Sequence, residues 1–555
     1  MLQITFNEPP TLGTTGKLYV YAQSGNTLVD TIDISGTPTQ TTGETYATYF
    51  PEANTEIDAL AAGVTTLSGD QRFVYYTPVV IAGNTATIHL HDGKLQPNTA
   101  YYVTADSTVF NDGNGNNFTG LSTPSAWTFA TRAQPTVASA TAATVPGNAP
   151  AGTTSMVAVT VDAAGNGDFN TVQGALDWVM QNCGTGATSS TCSASSVLKR
   201  ITIDKGSYNE LLYLRNVNNV TLTGSTTTPT DTVVYANNFE SYNPGSGGGA
   251  TAAGTSNSSE AAGGDTLTRR SLGGGRSVFL MEGSDLVTLR YFTLQNSHVK
   301  QSTFNNQAET FYFNNTKTNG GRFVASNMQL LSAQDTVLTK GWAYFYNDYI
   351  AGDVDFVWGY PYAAMFDHSE LHTIYNVTST APTGYVVQSR AYSGYANTNT
   401  GTFITTPGFV IANSKLTADS TVPTGTAFLA RSGGAGVGCA MPGASTAQGT
   451  NCDSVAYVND QIGTHISTGG WLGSAEGATG SALNVSPTTG QTAMIGWREW
   501  GSMDGSGNAL SLAGRDTTVA TYTVPLTGSS AATDLTSPTA VFAGWNNGAG
   551  WTPTP

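Results

Sequence analysis

The chain is short of charge, and of positive charge above all. Only 10% of its 555 residues are Asp, Glu, Lys or Arg, and 21 Lys and Arg stand against 37 Asp and Glu, for a net charge of −16. That balance leaves no basic face for nucleic acid. No apolar run approaches the roughly 18 residues that a membrane span needs, so no span is expected. No Gly-x-Ser-x-Gly segment occurs, which removes the nucleophile elbow of a serine hydrolase. The four cysteines fall as two local couples without Cys-x-x-Cys spacing and with no histidine close by. They predict two short-range disulfides, Cys183–Cys192 and Cys439–Cys452, in an oxidising compartment. His368 and His372 are four apart in Asp367-His368-Ser369-Glu370-Leu371-His372, but nothing else there suggests a zinc site. Neither metal nor cofactor is expected.

What the chain has in excess is glycine, 64 residues of it, together with Thr, Ser, Asn and Ala. This composition belongs to secreted, β-rich proteins. Ile4-Thr5-Phe6-Asn7 already reads as a first strand, so an export signal is expected to have been removed, with Met1 in its place. At this length, a linear repetitive fold plus an accessory module is the natural division. Residues 1–131 alternate polar and apolar side chains in short runs, such as Lys17-Leu18-Tyr19-Val20-Tyr21 and Thr85-Ala86-Thr87-Ile88-His89-Leu90, between Gly, Pro and Asn turns. That predicts a β-sandwich. The turn Asn111 to Asn117 has calcium-loop residue types, and a plain turn is the simpler reading. Residues 132–155 are aperiodic and rich in Ala, Thr, Pro and Val, which reads as a linker. A helix is predicted over Asn170 to Met180, with Val172, Ala175, Leu176 and Val179 on one face, placed to cap the open end of a solenoid. The short strands beyond it include Val220-Thr221-Leu222-Thr223, Leu286-Val287-Thr288-Leu289 and Arg322 to Ser326. The Gly/Ser/Ala stretch 243–276 is an insertion.

The sharpest local feature is Gln334-Asp335-Thr336 followed by Gly352-Asp353-Val354-Asp355-Phe356-Val357-Trp358-Gly359. Asp335 and Asp355 are 355 − 335 = 20 residues apart, about one coil of a parallel β-helix. Neighbouring parallel strands lie roughly 4.8 Å apart, so equivalent positions on stacked coils would bring the carboxylates together. Two such charges split their pKa values, giving one acid and one nucleophile or base. The bland reading is that both aspartates merely cap turns.

These segments resemble the pectin methylesterase family, which carries Gln-Asp-Thr, Gly-x-Val-Asp-Phe-x-x-Gly and Leu-Gly-Arg-Pro-Trp in that order. Here the last reads Phe428-Leu429-Ala430-Arg431-Ser432-Gly433; upstream lie Asn306-Gln307-Ala308-Glu309 and the opening segment Gly165-Asn166-Gly167-Asp168-Phe169-Asn170-Thr171-Val172-Gln173. The five segments span residues 157–555. The resemblance implies an all-β fold, a right-handed parallel β-helix over 156–555. It also implies a pectinesterase that releases methanol from methyl-esterified pectin or oligogalacturonide. Residue by residue, it implies Asp355 as nucleophile, Asp335 as general acid and then base, Gln307 and Gln334 as oxyanion donors, and Arg431 as the partner of Asp355. Leu95 to Val103 and Trp127 to Thr131 resemble bacterial immunoglobulin-like modules, which makes the expected N-terminal β-sandwich immunoglobulin-like. A secreted or cell-surface monomer follows.

The chain departs from the family after Arg431, where Ser432-Gly433-Gly434 replaces Pro-Trp. The aromatic wall of the family's cleft is missing. Trp358 and Phe356 are the expected substrate-binding residues, Trp358 offering replacement stacking area. Trp497 and Trp500, in a segment that resembles the end of the family's β-helix, are expected to pack. Two rival readings remain: an ester or thioester hydrolase using the same machinery away from pectin, and a surface adhesin with a relic site. Neither the Gly-His-Gly of a polygalacturonase nor the calcium acids of a pectate lyase occur.

Overall fold

The computed structural model describes residues 1–35, 54–60, 72–135, 145–147, 149–185, 192–243, 275–379, 384–392, 394–432, 451–452, 454–472, 497–515 and 535–555. From Ser155 onward, most strands pair in parallel and return to the same three stacks, which makes this part a parallel β-helix; two short antiparallel pairs stand outside the stacks. One stack runs through Leu212–Arg215, Phe279–Glu282, Phe311–Asn314, Gly384–Ser389, Ala427–Ser432 and Trp471–Leu472. A second runs from Ser155–Val161 through Val220–Gly224 and Arg322–Ser326 to Trp497–Trp500, and a third from Gly206–Asn209 to Met503–Asp504. The long strands Val337–Tyr346 and Val357–Asp367 belong to the first two stacks at once.

Register is set by the side chains that point into the coil. Phe311, Val337, Val357, Val387 and Ala430 follow one another across the first stack, all of them buried. Phe345 and Phe366 stack inside with ring centroids 4.3 Å apart. A one-residue slip would turn this row to solvent, so the stacking is strongly specified.

The open end of the solenoid is covered as the sequence predicted. The helix Val172–Cys183 begins at Thr171, whose side chain accepts from Gly174 N, and buries Val172, Ala175, Leu176 and Val179. Glu210 adds a second cap, its carboxylate accepting from Val172 N at 3.0 Å and Gln173 N at 2.9 Å. These are the amides that a helix N-terminus leaves free. Cys183 at the helix end bridges Cys192. Cys439 and most of the expected insertion lie outside the described residues.

The N-terminal part consists of antiparallel strands. Leu2–Thr5, Thr85–Ile88 and Val79–Ala82 form one sheet, and Thr128–Ala130, Ala100–Ala105, Lys17–Ala22 and Thr27–Asp33 another. Leu18, Ile32, Val79, Ala86, Ile88 and Phe110 fill the space between. In the Asn111 to Asn117 turn, Asp112 accepts from Asn114 N, Asn116 N and Asn116 Nδ2 at 2.7–2.9 Å, bonds that close the turn on itself. A separate hairpin, Glu56–Leu60 with Arg72–Tyr76, leaves the sandwich and packs on the β-helix.

Candidate active site

Asp335 and Asp355 occupy the same turn on successive coils, each just before its strand enters the first stack. Gln334 bridges Val354 in parallel, and Asp335 N donates to the Val354 carbonyl at 3.0 Å. Both aspartates adopt left-handed backbone, with φ of 62° and 51°, a conformation that Asp and Asn tolerate better than most residues. They do shape turns, then, and the same turns place the two residues at equivalent positions on coils one strand spacing apart. Gly359 has φ of 134°, and a Cβ there would lie 2.1 Å from the Thr339 carbonyl oxygen. Only glycine fits that approach.

Asp355 is held in place on both oxygens. Arg431 donates through Nε to Oδ1 at 2.7 Å and through Nη2 to Oδ2 at 2.5 Å, and Gln388 Nε2 donates to Oδ2 at 2.7 Å. A bidentate guanidinium fixes both the charge and the direction of a carboxylate. Trp358, Gln388 and Arg431 are register partners on adjacent strands, so the sheet itself aligns these donors. The Tyr385 ring lies under Arg431, 4.4 Å from its guanidinium carbon.

Asp335 lies in a different field. Among the described residues its one direct cation is Arg276, whose Nη2 donates to Oδ2 at 3.0 Å. Arg276 also donates through Nε to both oxygens of Glu309, at 2.9 and 2.8 Å, and through Nη1 to Glu240 at 2.8 Å. Burial pushes the Asp335 carboxyl well above the usual range; Arg276 pulls it back, the charges of Glu309 and Asp355 push it up again, and Arg431 lowers it. Burial also raises Glu309, against the pull of Arg276. Burial opposes the charge of Arg276, but Glu309, Asp335 and Glu240 more than offset it and hold the guanidinium above its usual range. One arginine thus serves three carboxyls: Glu309 takes two of its bonds, Glu240 and Asp335 one each, and the bond to Asp335 is the longest at 3.0 Å.

Gln307 and Gln334 sit side by side on consecutive coils, where Ala308 N donates to the Gln334 carbonyl at 3.2 Å. Both side chains are half-buried, and Gln307 Oε1 has no hydrogen-bond partner among the described residues. Trp358 is only 5% exposed, with the guanidiniums of Arg276 and Arg390 over its ring at 5.7 and 5.6 Å. That leaves little ring area for stacking. Phe356 is fully buried in the coil interior, so the expectation that it lines a cleft is corrected. The left-handed turn at Asp355 breaks strand alternation and sends Phe356 inward together with Val357.

No family model matches the chain, and no curated protein matches it. Among solved structures it is similar to pectin methylesterases. That from Erwinia chrysanthemi has 19% identity and a TM-score of 0.45, over 72% of this chain and 99% of the other. The rice weevil enzyme has 20% identity and a TM-score of 0.42, over 62% and 88%. The Aspergillus niger enzyme, in its penultimately deglycosylated form, has 17% identity and a TM-score of 0.40, over 66% and 89%.

The structure brings Gln307, Gln334, Asp335, Asp355 and Arg431 into one neighbourhood and adds residues that sequence reasoning missed. Arg276 closes the stretch read as an insertion, and Glu309 stands two positions after Gln307 in a segment already singled out. An acid two residues before the apolar run Phe311-Tyr312-Phe313 was a usable signal for Glu309. Gln388 had none. Lys300 pairs with Asp353 at 2.9 Å and donates to Asn376 at 3.2 Å, a buried contact that ties the segment before Gln307 to the turn of Asp355. Burial raises Asp353 to about 6, Lys300 opposing it. Among the described residues, no group of His, Cys, Asp and Glu is arranged to hold a metal.

Proposed function

We propose that this protein is a carboxylic ester hydrolase of pectin methylesterase type, acting on methyl-esterified galacturonate. The observation that carries the reading is the unequal pair. Asp355 is gripped on both oxygens by a bidentate arginine and a glutamine, while burial raises the pKa of its neighbour Asp335 well above the usual carboxylate range. In this reading an Asp355 oxygen attacks the ester carbonyl, and the negative oxygen that forms is met by the side-chain amides of Gln307 and Gln334. Collapse breaks the C–OCH3 bond as Asp335 gives its proton to the leaving methanol. Water then attacks the acyl-aspartate, Asp335 takes a proton from it, and free carboxylate and Asp355 are restored.

The missing Pro-Trp after Arg431 and the nearly covered Trp358 favour a second reading, an ester or thioester other than pectin handled by the same residues. Secretion or a cell-surface location, and action as a single chain, go with either. Among the described residues no helix is long and apolar enough to cross a membrane.

The test is methanol release from highly methyl-esterified pectin and from a short methylated oligogalacturonide. Wild type should release methanol, and Asp355→Ala should lose more than about 1000-fold in rate. Methanol from the oligomer alone keeps the pectinesterase reading and narrows it to short substrates. No methanol from either substrate sinks the pectin assignment and turns the search to the second reading.

A further inference from the structure

Arg276, the residue that touches Asp335, is held in place from outside the β-helix. Arg72, fully buried, belongs to the N-terminal hairpin. Its Nη1 donates to the carbonyls of Leu212 at 2.8 Å and Val278 at 3.4 Å; its Nη2 donates to those of Gly275 at 2.9 Å and Ser277. Gly275 and Ser277 are the two neighbours of Arg276 in the chain. The Asn238 Nδ2 donates to the same two carbonyls, at 3.0 Å each. Asn238 Oδ1 accepts from Asn243 Nδ2 at 2.9 Å, and the Asn243 side chain bonds the backbone of Tyr75 in both directions at 2.8 Å. On the far side, Asn296 Nδ2 reaches the carbonyls of Arg276 at 3.4 Å and Glu309 at 3.1 Å. A continuous run of buried polar groups therefore joins the hairpin to the site.

We propose that the N-terminal module is a positioning arm of the active site, Arg72 and Tyr75 clamping the backbone around Arg276 and so fixing that guanidinium against Asp335. A contact that served only to glue two modules could use any free carbonyls along the boundary. Here two of the four carbonyls flank Arg276, the residue whose guanidinium bonds the Asp335 carboxyl. A buried guanidinium that spends its fork on carbonyls also tolerates little displacement, because each lost partner leaves a desolvated polar group. The inference deepens the esterase reading, on which only its kinetic arm rests.

The groups that face Arg276 are Glu240, Glu309, Asp335 and the Trp358 ring; those that face Asp335 are Arg276, Glu309, Asp355 and Arg431. If Arg276 drifts, Asp335 loses its nearest cation while the two acids stay, so it holds its proton to higher pH. Infrared difference titration, with Asp335→Asn identifying the Asp335 carboxyl band, reads this directly in the full chain. We expect Arg72→Met to raise the midpoint by at least about one pH unit and to move the high-pH limb of methanol release the same way. Arg72→Lys, which keeps the charge but loses the fork, should restore part of the shift. A variant that melts earlier while both midpoint and limb stay put would make Arg72 structural glue and overturn the proposal. If wild type releases no methanol, the esterase reading falls, and the infrared arm alone still decides this one. Should Arg72→Met fail to fold, Asn243→Ala removes the Tyr75 anchor and carries the same test.

Discussion

At the scale of single residues, two aspartates of identical chemistry sit in unequal surroundings because their donors differ, and the proposed esterase mechanism gives them opposite roles on that ground. Among the described residues, Asp355 receives hydrogen bonds from both Arg431 nitrogens and from Gln388; Asp335 receives its side-chain bond from a guanidinium shared with two glutamates. The consequence is testable through protonation. An acid must carry its proton to act, so activity should fall as pH rises through the raised pKa of Asp335. Asp335→Asn cannot donate to a leaving methoxide as a carboxylic acid does, and it should lose about 100- to 10,000-fold in the rate of methanol release. A variant that keeps wild-type rate and pH profile would remove Asp335 from the chemistry. Asp335, Asp355, Gln334 and Arg431 were legible because each stands in a compact segment with recognisable neighbours. Gln388 was not, because the coil that carries it is longer: Leu338, Trp358 and Gln388 are register partners, but the steps are 358 − 338 = 20 and 388 − 358 = 30 residues. A fixed repeat finds Trp358 and misses Gln388.

At the scale of the element, the β-helix is built on one turn used repeatedly. Asn327, Asn347, His368, Asn413 and Asn459 all have φ between 51° and 58°, each where the chain passes from the second stack to the third. Asn347 Nδ2 donates to Asn327 Oδ1 at 2.6 Å, one rung of a side-chain ladder along the axis. His368 departs from the series and turns to Asp367 instead, Nδ1 to Oδ1 at 2.7 Å. Asparagine is favoured here because left-handed backbone costs most other residues about 1–2 kcal/mol. Asn347→Ala adds the loss of a hydrogen bond worth about 1 kcal/mol, so a destabilisation of about 2 kcal/mol is expected. A urea midpoint unchanged from wild type would show that the ladder carries no stability. The strands and the capping helix were readable from alternation and from the helical face. The turn ladder was not, since isolated asparagines between strands look like ordinary loop residues until the coils are stacked.

At the scale of the whole molecule, the balance of buried acids sets how stability responds to pH. Burial raises Asp58 to about 7, with Asp92 adding to the push; it raises Glu210 to about 7 and Asp353 to about 6, and lifts Asp348 and Asp460 well above the usual range. Asp177 is raised likewise by burial and by Asp92. A carboxyl whose folded pKa lies above its unfolded value binds its proton more tightly when folded. Its stabilisation is complete below about pH 4 and is lost as pH rises through the folded pKa. Two histidines act the other way, burial lowering His89 to about 3 and His465 to about 4, but their effect is spent by about pH 6.5. Lys199 and Lys340, lowered by burial to about 8, act mainly above that pH. Between pH 5 and 8 the acids therefore dominate, and the melting temperature should fall across that interval by roughly 5 °C or more. The loss should appear first between the modules. Asp58 on the hairpin, Asp92 in the sandwich, Asp177 on the capping helix and Glu210 in the first coil line one cavity of about 920 Å³ where these parts meet. Asp58→Asn removes one of those charges without changing shape, so it should flatten the pH dependence while leaving the melting temperature at pH 5 nearly unchanged. A melting curve that is flat or rising from pH 5 to 8 in the wild type would show that these acids ionise freely, and that the boundary between the modules is wetter than its packing implies.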